Sequence, residues 1–375
     1  MEWRITLSEP VIGEEEVDAV AAVLRSKWLT MGAVTQEFER AFARKLGVSY
    51  AFAVNNGTAA LHLANLALGI GPGDEVICPD LTFIASANAS RYTGADVVLA
   101  DVLSDDDFTV NPEDIEARVT SRTKAITVVH YAGFPCQMDA ITAVARRHRL
   151  AVIEDCAHAP FAWLPGEGTR RYVGAIGDVG CFSFFGNKNM TTGEGGMVTT
   201  NNEVIAERVR LLRSHGMTTL TYERHKGHAS GYDVVALGYN YRSDELRSAL
   251  GLTQLARVDG LNAQRRQVYQ WYRDAFVSHP EIRIPFAARD LESATCHIMP
   301  VLVEAGPERY ADLKARLFEA KVQTSKHYTP ISCLSTYRAP TPPVTARIAA
   351  GILTLPLGPT MTRADVQLIA GVCGL

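Results

Sequence analysis

The sequence predicts an α/β fold: a large three-layer domain on a mostly parallel sheet, followed by a smaller C-terminal α+β domain. Three observations predict it. Runs of β-branched residues alternate with helix-like segments through the first 250 residues, as parallel strands joined by crossover helices do. After the long helical stretch GLTQLARVDGLNAQRRQVYQWYRDAF that alternation loosens into shorter, mixed segments. The length of 375 residues is more than one core commonly organises. The division is therefore expected near residue 250, with residues 1–250 as the large domain carrying an N-terminal arm and residues 251–375 as the small one.

The elements follow in order. EEEVDAVAAVLRS after Gly13 has apolar residues at helical spacing behind an acidic first turn, which suits the positive end of a helix. TQEFERAFARKLG is a second helix, stopped by Gly47. AFAVNN is a buried strand and GTAALHLANLALG the helix after it. DEVICPDLTF is a strand and turn, ADVVLADV a strand, PEDIEARVT a helix and KAITVVHYAG a strand. MDAITAVARRHR is a helix, and LAVIEDCAHA a strand that ends in polar groups. In the C-terminal part CHIMPVLV reads as a strand, RYADLKARLFEAK and RADVQLIAGV as helices, and the turn-prone RAPTPPVTA as a loop.

Composition narrows the function classes. Hydrophobic residues at 47% and charged residues at 21% are ordinary for globular proteins. A net charge of -4 without a basic stripe argues against nucleic acid. No apolar run approaches the roughly 20 residues of a membrane span, and the N-terminus lacks a secretory pattern, so a cytoplasmic protein is expected. The seven cysteines form no Cys-x-x-Cys pair and suggest neither a zinc knuckle nor a disulfide framework. His225 and His228 could share a metal, but no third ligand stands near them in sequence, and no metal is expected.

In an open parallel sheet ligands bind beyond the carboxyl ends of the strands, and polar residues gather at three such ends. Asn56-Gly57-Thr58 follows the strand AFAV; it reads equally as an N-cap and as a helix N-terminus offering N–H groups to an anion. Glu154-Asp155-Cys156-Ala157-His158 follows the strand AVI. Its acid could hold a cationic heterocycle, with the histidine on a neighbouring oxygen, or be satisfied by local N–H groups. The third is GCFSFFGNKNMTTGEGG, where Ser183, Lys188, Thr191, Thr192 and Gly193 crowd a glycine-rich turn. A nucleotide-triphosphate loop needs glycine directly before its lysine, and here Asn187 stands there. GIGPGD at 69–74 lacks the final glycine of a dinucleotide fingerprint and follows a helix, so it reads as a turn. What remains is a lysine downstream of a strand-end aspartate, with hydroxyl and glycine groups beside both. That is the inventory pyridoxal phosphate needs: an amine for the imine, a carboxylate to keep the pyridine nitrogen protonated, and donors for the phosphate.

WLTMGAVTQEFERAFA, NNGTAALHLA, GIGPGDEVICPDLTFIASANA, VIEDCAHA, SFFGNKNMTTGEGGM and GYNYRSDELRSALGLTQL together resemble the DegT/DnrJ/EryC1/StrS aminotransferases. These are fold type I, aspartate aminotransferase-like enzymes that aminate keto sugars, usually nucleotide-linked, in antibiotic and cell-surface sugar pathways. The resemblance implies that Lys188 joins pyridoxal 5'-phosphate through an imine and then shuttles the proton. It implies that Asp155 pairs with the ring nitrogen, that His158 lies near the ring hydroxyl, and that Phe83 stacks on the ring; a core phenylalanine is the other reading of Phe83. Gly57, Thr58 and Ser183 would bind the phosphate, with Asn240 reaching it from the partner subunit of a homodimer with shared active sites. The glycines after Lys188 would make room for cofactor and partner chain.

The sugar would meet Thr30, Met31, Gly32, His215, His327 and Tyr328, and Arg242 would take the carboxylate of the amino donor, glutamate. Relatives often carry a further histidine after the HYxP stretch, where this chain has Ile331-Ser332-Cys333; that segment is expected on the substrate side. The resemblance implies ping-pong transfer of an amine to a nucleotide-linked keto-deoxyhexose. A cyclitol acceptor stays open. A sugar dehydratase of the same lineage would carry histidine in place of Lys188, and a non-catalytic regulator would not need the retained lysine, aspartate and phosphate turns.

Overall fold

The computed structural model describes residues 2–166, 168–219, 222, 227 and 231–374. Helices α1 (Glu14–Ser26) and α2 (Ala33–Leu46) open the chain, ahead of strand β1 (Tyr50–Val54) and helix α3 (Gly57–Ala67). Then come β2 (Glu75–Pro79), α4 (Ala85–Arg91), β3 (Asp96–Ala100), the hairpin β4 (Val102–Ser104) and β5 (Asp107–Val110), and α5 (Pro112–Ala117). The series continues with β6 (Thr123–Val129), α6 (Met138–His148), β7 (Ala151–Asp155) and a small hairpin of β8 (Trp163–Pro165) and β9 (Arg170–Tyr172). It closes with β10 (Val179–Ser183), β11 (Gly196–Thr200) and α7 (Glu203–Leu212).

Seven strands make the main sheet in the order β1-β11-β10-β7-β6-β2-β3. β11 runs antiparallel to both its neighbours and every other pairing is parallel, as the alternation of strands and helices predicts. The carboxyl ends of β1, β10, β7, β6 and β2 consequently point the same way. The three strand ends picked out in the sequence lie on that edge.

The aromatic run before Lys188 explains how its loop is anchored. Phe182 and Phe184 are buried against Phe38, Phe42 and Phe161, with Phe42–Phe182 centroids 5.0 Å apart. Each such burial contributes about 1.5–3 kcal/mol. Alternation along an extended chain sends Ser183 and Phe185 the other way, and Phe185 is half exposed. The glycines after the lysine serve the turn itself. Gly193 takes a left-handed φ of 76°, and a Cβ at Gly195 would stand 2.1 Å from Thr192 Oγ1. These needs of the turn stand beside the expected reason for the glycines, room for a cofactor and a partner chain.

The 32-residue helix Glu245–Phe276 is the spine that joins the two parts. Its Leu255 and Val258 pack with α2, while Val268, Tyr269, Tyr272 and Phe276 belong to the core of the C-terminal part. The division expected near residue 250 falls inside the first turns of this continuous helix. Beyond it, β12 (Ile282–Arg283), β13 (Met299–Val303) and β14 (Ile352–Leu355) form an antiparallel sheet. Helices Gly306–Glu319, Pro343–Gly351 and Arg363–Cys373 accompany it, which is the expected smaller α+β unit. The N-terminal segment reaches across to this unit, Ile5 pairing with Val322. One expected loop is corrected: RAPTPPVTA runs into the helix Pro343–Gly351, with proline at its first position, where the missing N–H costs nothing. Asp101 anchors its start, accepting from Val344 N at 2.9 Å and Thr345 N at 2.8 Å.

Two buried glutamates tie the opening helices to the spine. Glu16, in the acidic first turn of α1, accepts from Arg257 Nη1 at 2.6 Å and Gln254 Nε2 at 2.8 Å. Glu245 does more for α2, accepting from Gly32 N, Val34 N, Thr35 N and Thr35 Oγ1 at 2.7–2.9 Å. Glu245→Ala leaves those donors buried without an acceptor. The expected loss is about 2–4 kcal/mol of unfolding free energy, read as a fall in Tm. A thermal midpoint equal to wild type would show that water replaces the carboxylate.

Candidate active site

A cavity of about 550 Å³ opens beyond the carboxyl ends of the strands, lined among others by Gly57, Thr58, Phe83, Asp155, His158, Ser183, Lys188, His327 and Tyr328. Each wall has a local cause. After β1 the chain turns at Asn56, whose Oδ1 caps α3 by accepting from Ala59 N at 2.8 Å. The N–H groups of Gly57 and Thr58, ahead of the first intrahelical bond, have no hydrogen-bond partner among the described residues and stay available. The two readings of this turn therefore divide between residues: Asn56 is the cap, and Gly57 and Thr58 present N–H groups. Glycine is required at 57 because a Cβ there would stand 2.8 Å from Ser183 Cβ, and this close approach puts the serine hydroxyl beside the helix N-terminus.

The acid pair at the end of β7 divides in the same way. Glu154 is fully buried and accepts from Ile176 N at 2.9 Å, Gly177 N at 2.6 Å and His130 Nε2 at 3.1 Å. It is the acid satisfied by local donors. His130, Glu154 and Cys156 are also the only metal-competent grouping among the described residues, but His130 Nδ1 accepts from Cys136 N, so these atoms are already engaged. His225 and His228 lie outside the described residues.

Asp155, on the opposite face of the strand, turns to the cavity. Its oxygens accept from Ser86 Oγ at 2.7 Å and Ala157 N at 3.1 Å. Burial pushes its carboxyl above the usual range; those two donors and the Lys188 and His130 charges pull it back. Lys188, held in the loop after β10, suffers the reverse. Its side chain borders the cavity while its amine is enclosed by protein, and desolvation pulls its pKa from 10.5 down to about 8, with Asp155 opposing and Arg265 assisting. A carboxylate with only neutral hydrogen-bond donors and a softened amine thus share one space.

His158 accepts at Nδ1 from Ala132 N at 3.3 Å, which leaves the hydrogen on Nε2 to meet Tyr328 Oη at 2.8 Å. Burial holds this imidazole well below its ordinary pKa, and the Lys188 charge adds to that. It is a neutral donor, and Tyr328 keeps its own O–H for another acceptor. Tyr131 donates to the carbonyl of His327, and His327 Nδ1 sits 2.9 Å from Thr354 Oγ1. Phe83 is 56% exposed with its ring 5.9 Å from that of Tyr328, which excludes the core-phenylalanine reading.

The other expected residues stand elsewhere in the chain. Thr30 pairs with Asp244, Gly32 N binds Glu245, and Met31 is buried beside them. Asn240 is exposed and bridges to Ser214. Arg242 Nη1 reaches Ser214 Oγ at 3.4 Å, and burial, with the Arg213 charge, lowers its pKa. His215 is exposed with φ 60°. None of these six lines the cavity within this chain, although Tyr241, between Asn240 and Arg242, does. One expectation is corrected. Ile331 and Ser332 are buried, Ser332 binding the Asp80 carboxylate through N and Oγ at 2.7 Å. Cys333 is exposed, and no residue of 331–333 lines the cavity.

Some neighbours of the chemistry carry no sequence signal. Ser86 is one. His297, whose Nε2 lies 3.4 Å from Lys188 Nζ, is another, read in the sequence as part of a plain strand. Only the fold of the C-terminal part brings it there.

Comparison with known proteins accords with this geometry. Residues 10–373 match the DegT/DnrJ/EryC1/StrS aminotransferase family. The chain is 40% identical over 370 residues to the spore coat polysaccharide biosynthesis protein SpsC of Bacillus subtilis, covering 96% of this chain and 94% of that one. Helicobacter pylori PseC, an aminotransferase of pseudoaminic acid biosynthesis, superposes with a TM-score of 0.89 at 27% identity, covering 98% of both chains. S. venezuelae DesV, solved with a ketimine intermediate, superposes with a TM-score of 0.85 at 34% identity, covering 96% of this chain and 93% of that one.

Proposed function

Because the chain belongs to the DegT/DnrJ/EryC1/StrS aminotransferase family, whose members work with pyridoxal 5'-phosphate, we propose that it moves the amino group of glutamate to the ketone of a nucleotide-linked keto-deoxyhexose. One observation carries the reading: Lys188, Asp155 and the first residues of α3 line a single cavity. SpsC, named for spore coat polysaccharide biosynthesis, and PseC, an aminotransferase of pseudoaminic acid biosynthesis, support a sugar as acceptor.

The residues fit the cofactor. Asp155 is a buried acid that lacks a hydrogen-bonded cation, and a pyridinium N–H supplies one. Gly57 N, Thr58 N and Ser183 Oγ form a donor set at a helix N-terminus, suited to a phosphate. When bound, the cofactor supplies an electron sink that stabilises negative charge on the substrate carbon. The chain's own groups do the rest. Lys188 Nζ takes up and returns the proton at that carbon, a task suited to an amine softened to about 8. Asp155 would hold the ring-nitrogen proton, Tyr328, itself held by the His158 Nε2 hydrogen, would offer its free O–H to the ring hydroxyl, and Phe83 would cover the ring face.

His327 and Tyr328 line the cavity and are assigned to the acceptor. Thr30, Met31, Gly32, His215, Asn240 and Arg242 are assigned to a site shared between two subunits, with Asn240 on phosphate and Arg242 on the donor carboxylate. The exposed run Val234, Val235 and Leu237 supports a homodimer, since apolar surface of that kind is commonly covered. In this reading residues 1–250 carry the cofactor, residues 251–375 close over it, and the enzyme works in the cytoplasm.

Gly57→Ala tests the phosphate assignment. The new methyl group must displace Ser183, an overpacking cost of about 1–3 kcal/mol. Affinity for pyridoxal phosphate should fall about 10- to 100-fold, measured by equilibrium dialysis of the cofactor-free protein. Unchanged affinity would move the phosphate away from α3. The acceptor is tested by running the reaction in reverse, with 2-oxoglutarate and a panel of amino sugars and aminocyclitols. Nucleotide-linked amino-deoxyhexoses are expected to turn over; turnover of aminocyclitols alone would replace the proposed acceptor.

A further inference from the structure

Lys188 has a neighbour that neither its own loop nor the main sheet supplies. His297, just ahead of β13, stands with Nε2 3.4 Å from Lys188 Nζ and is buried, 3% exposed. Its other ring nitrogen, Nδ1, lies 2.9 Å from Asn189 Oδ1. The Asn189 amide cannot be turned round, because its Nδ2 donates to Asn262 Oδ1 and to Thr295 O, each at 2.8 Å. Asn262 is fixed in turn by donating from Nδ2 to Pro160 O at 3.1 Å. An amide oxygen only accepts, so Nδ1 of His297 carries the hydrogen and Nε2 presents a bare lone pair to the lysine. The backbone is held as well, Arg265 Nη1 donating to His297 O at 3.1 Å.

We propose that His297 is a positioning residue for Lys188: a fixed acceptor that holds the lysine amine by one N–H whenever that amine is not bonded to the cofactor, and so sets where it stands and stabilises its charged form. The proposal rests on Lys188 being the working amine. The other charged and titratable groups around that amine are Asp155, Arg265, His158, His327 and Tyr328. Asp155 favours the ammonium and Arg265 opposes it. His158, His327 and His297 are all pushed down by burial and by the lysine charge, and Tyr328 is pushed up, so these four are neutral at neutral pH. His297 is the neutral group whose lone pair the amine can use directly. The contact spans the two parts of the molecule, so it also records whether the C-terminal part is seated over the lysine.

The test uses cofactor-free protein, an amine-selective acylating reagent, and mass spectrometry of the Lys188 peptide across a pH series. Wild-type labelling should rise with pH through a midpoint near 8. His297→Phe keeps the ring but removes the acceptor. Losing a hydrogen bond to a charged group should lower the midpoint by about one pH unit. His297→Gln places an amide oxygen where Nε2 stood and should bring the midpoint back toward the wild-type value. A folded His297→Phe protein with the wild-type midpoint would overturn the proposal. Should that variant not fold, the 15N spectrum of histidine-labelled wild-type protein decides, with His297 assigned by the signal missing from His297→Gln. A bare Nε2 supports the proposal and a protonated Nε2 overturns it. Failure of the wild-type lysine to take up the cofactor is a separate readout, and would sink the reading of Lys188 without bearing on the histidine contact.

Discussion

Lys188→Ala is expected to lose the visible absorbance of the bound cofactor and to slow amine transfer by at least about a thousandfold, because covalent attachment and proton transfer fail together. The protein should still fold. The Lys188 loop is held by Phe182 and Phe184 in the aromatic cluster and by Phe184 N binding Gly195 O. Removing a desolvated amine relieves a cost. With a folded pKa near 8 against 10.5 unfolded, the unfolded chain binds the extra proton between those values, so wild-type stability rises with pH across that window. At neutral pH that amine subtracts stability, and Lys188→Ala should melt no lower than wild type. A variant that keeps near wild-type turnover would remove Lys188 from the mechanism.

Asp155→Ala is the second large effect. Its carboxylate receives only Ser86 Oγ and Ala157 N among the described residues, and in the proposed function its charge would keep the ring nitrogen protonated. Loss of a preorganised charge of this kind costs about 10²- to 10³-fold in rate. Some cofactor should remain bound, since Lys188 and the α3 terminus are untouched. Asp155→Asn keeps shape without charge and should show the same rate loss, which separates electrostatics from packing. An unchanged rate in either variant would move the partner of the ring nitrogen elsewhere.

Much of this was readable in the sequence because the determinants are local. Strand-end polarity marks Asn56, Asp155 and Ser183, and each follows or ends a strand, β1, β7 or β10, that runs the same way and delivers it to one edge. Helix α2 ends at Gly47 because only a residue free to take φ 78° closes that turn cheaply. What escaped depends on distance along the chain. His297 is 109 residues from Lys188, and nothing in CHIMPVLV distinguishes a strand histidine from a site histidine. Ser86 reaches Asp155 across 69 residues from a helix too short to show periodicity. Glu154 and Asp155 look equivalent in sequence; only the alternation of β7 sends one to a buried histidine and the other to the cavity. The helix Pro343–Gly351 was hidden by prolines that mark a turn in most contexts and a helix start in this one.

The glycines after Lys188 and the Ile331-Ser332-Cys333 segment teach the same point from the other side. A motif assigns residues to a site by position, whereas packing decides which of them face it. Gly195 clears Thr192, and Ser332 is spent on Asp80. In the proposed function, recognition of the acceptor falls to His327, Tyr328 and the residues assigned to a second subunit.

The central claim, that Lys188 is the amine that carries the cofactor, is tested most directly by borohydride reduction of the cofactor-loaded wild-type protein followed by peptide mapping. A stable pyridoxyl group is expected on the peptide containing Lys188, and none there when glutamate is added before the reductant. A pyridoxyl group on another lysine, or none on any, would contradict the claim.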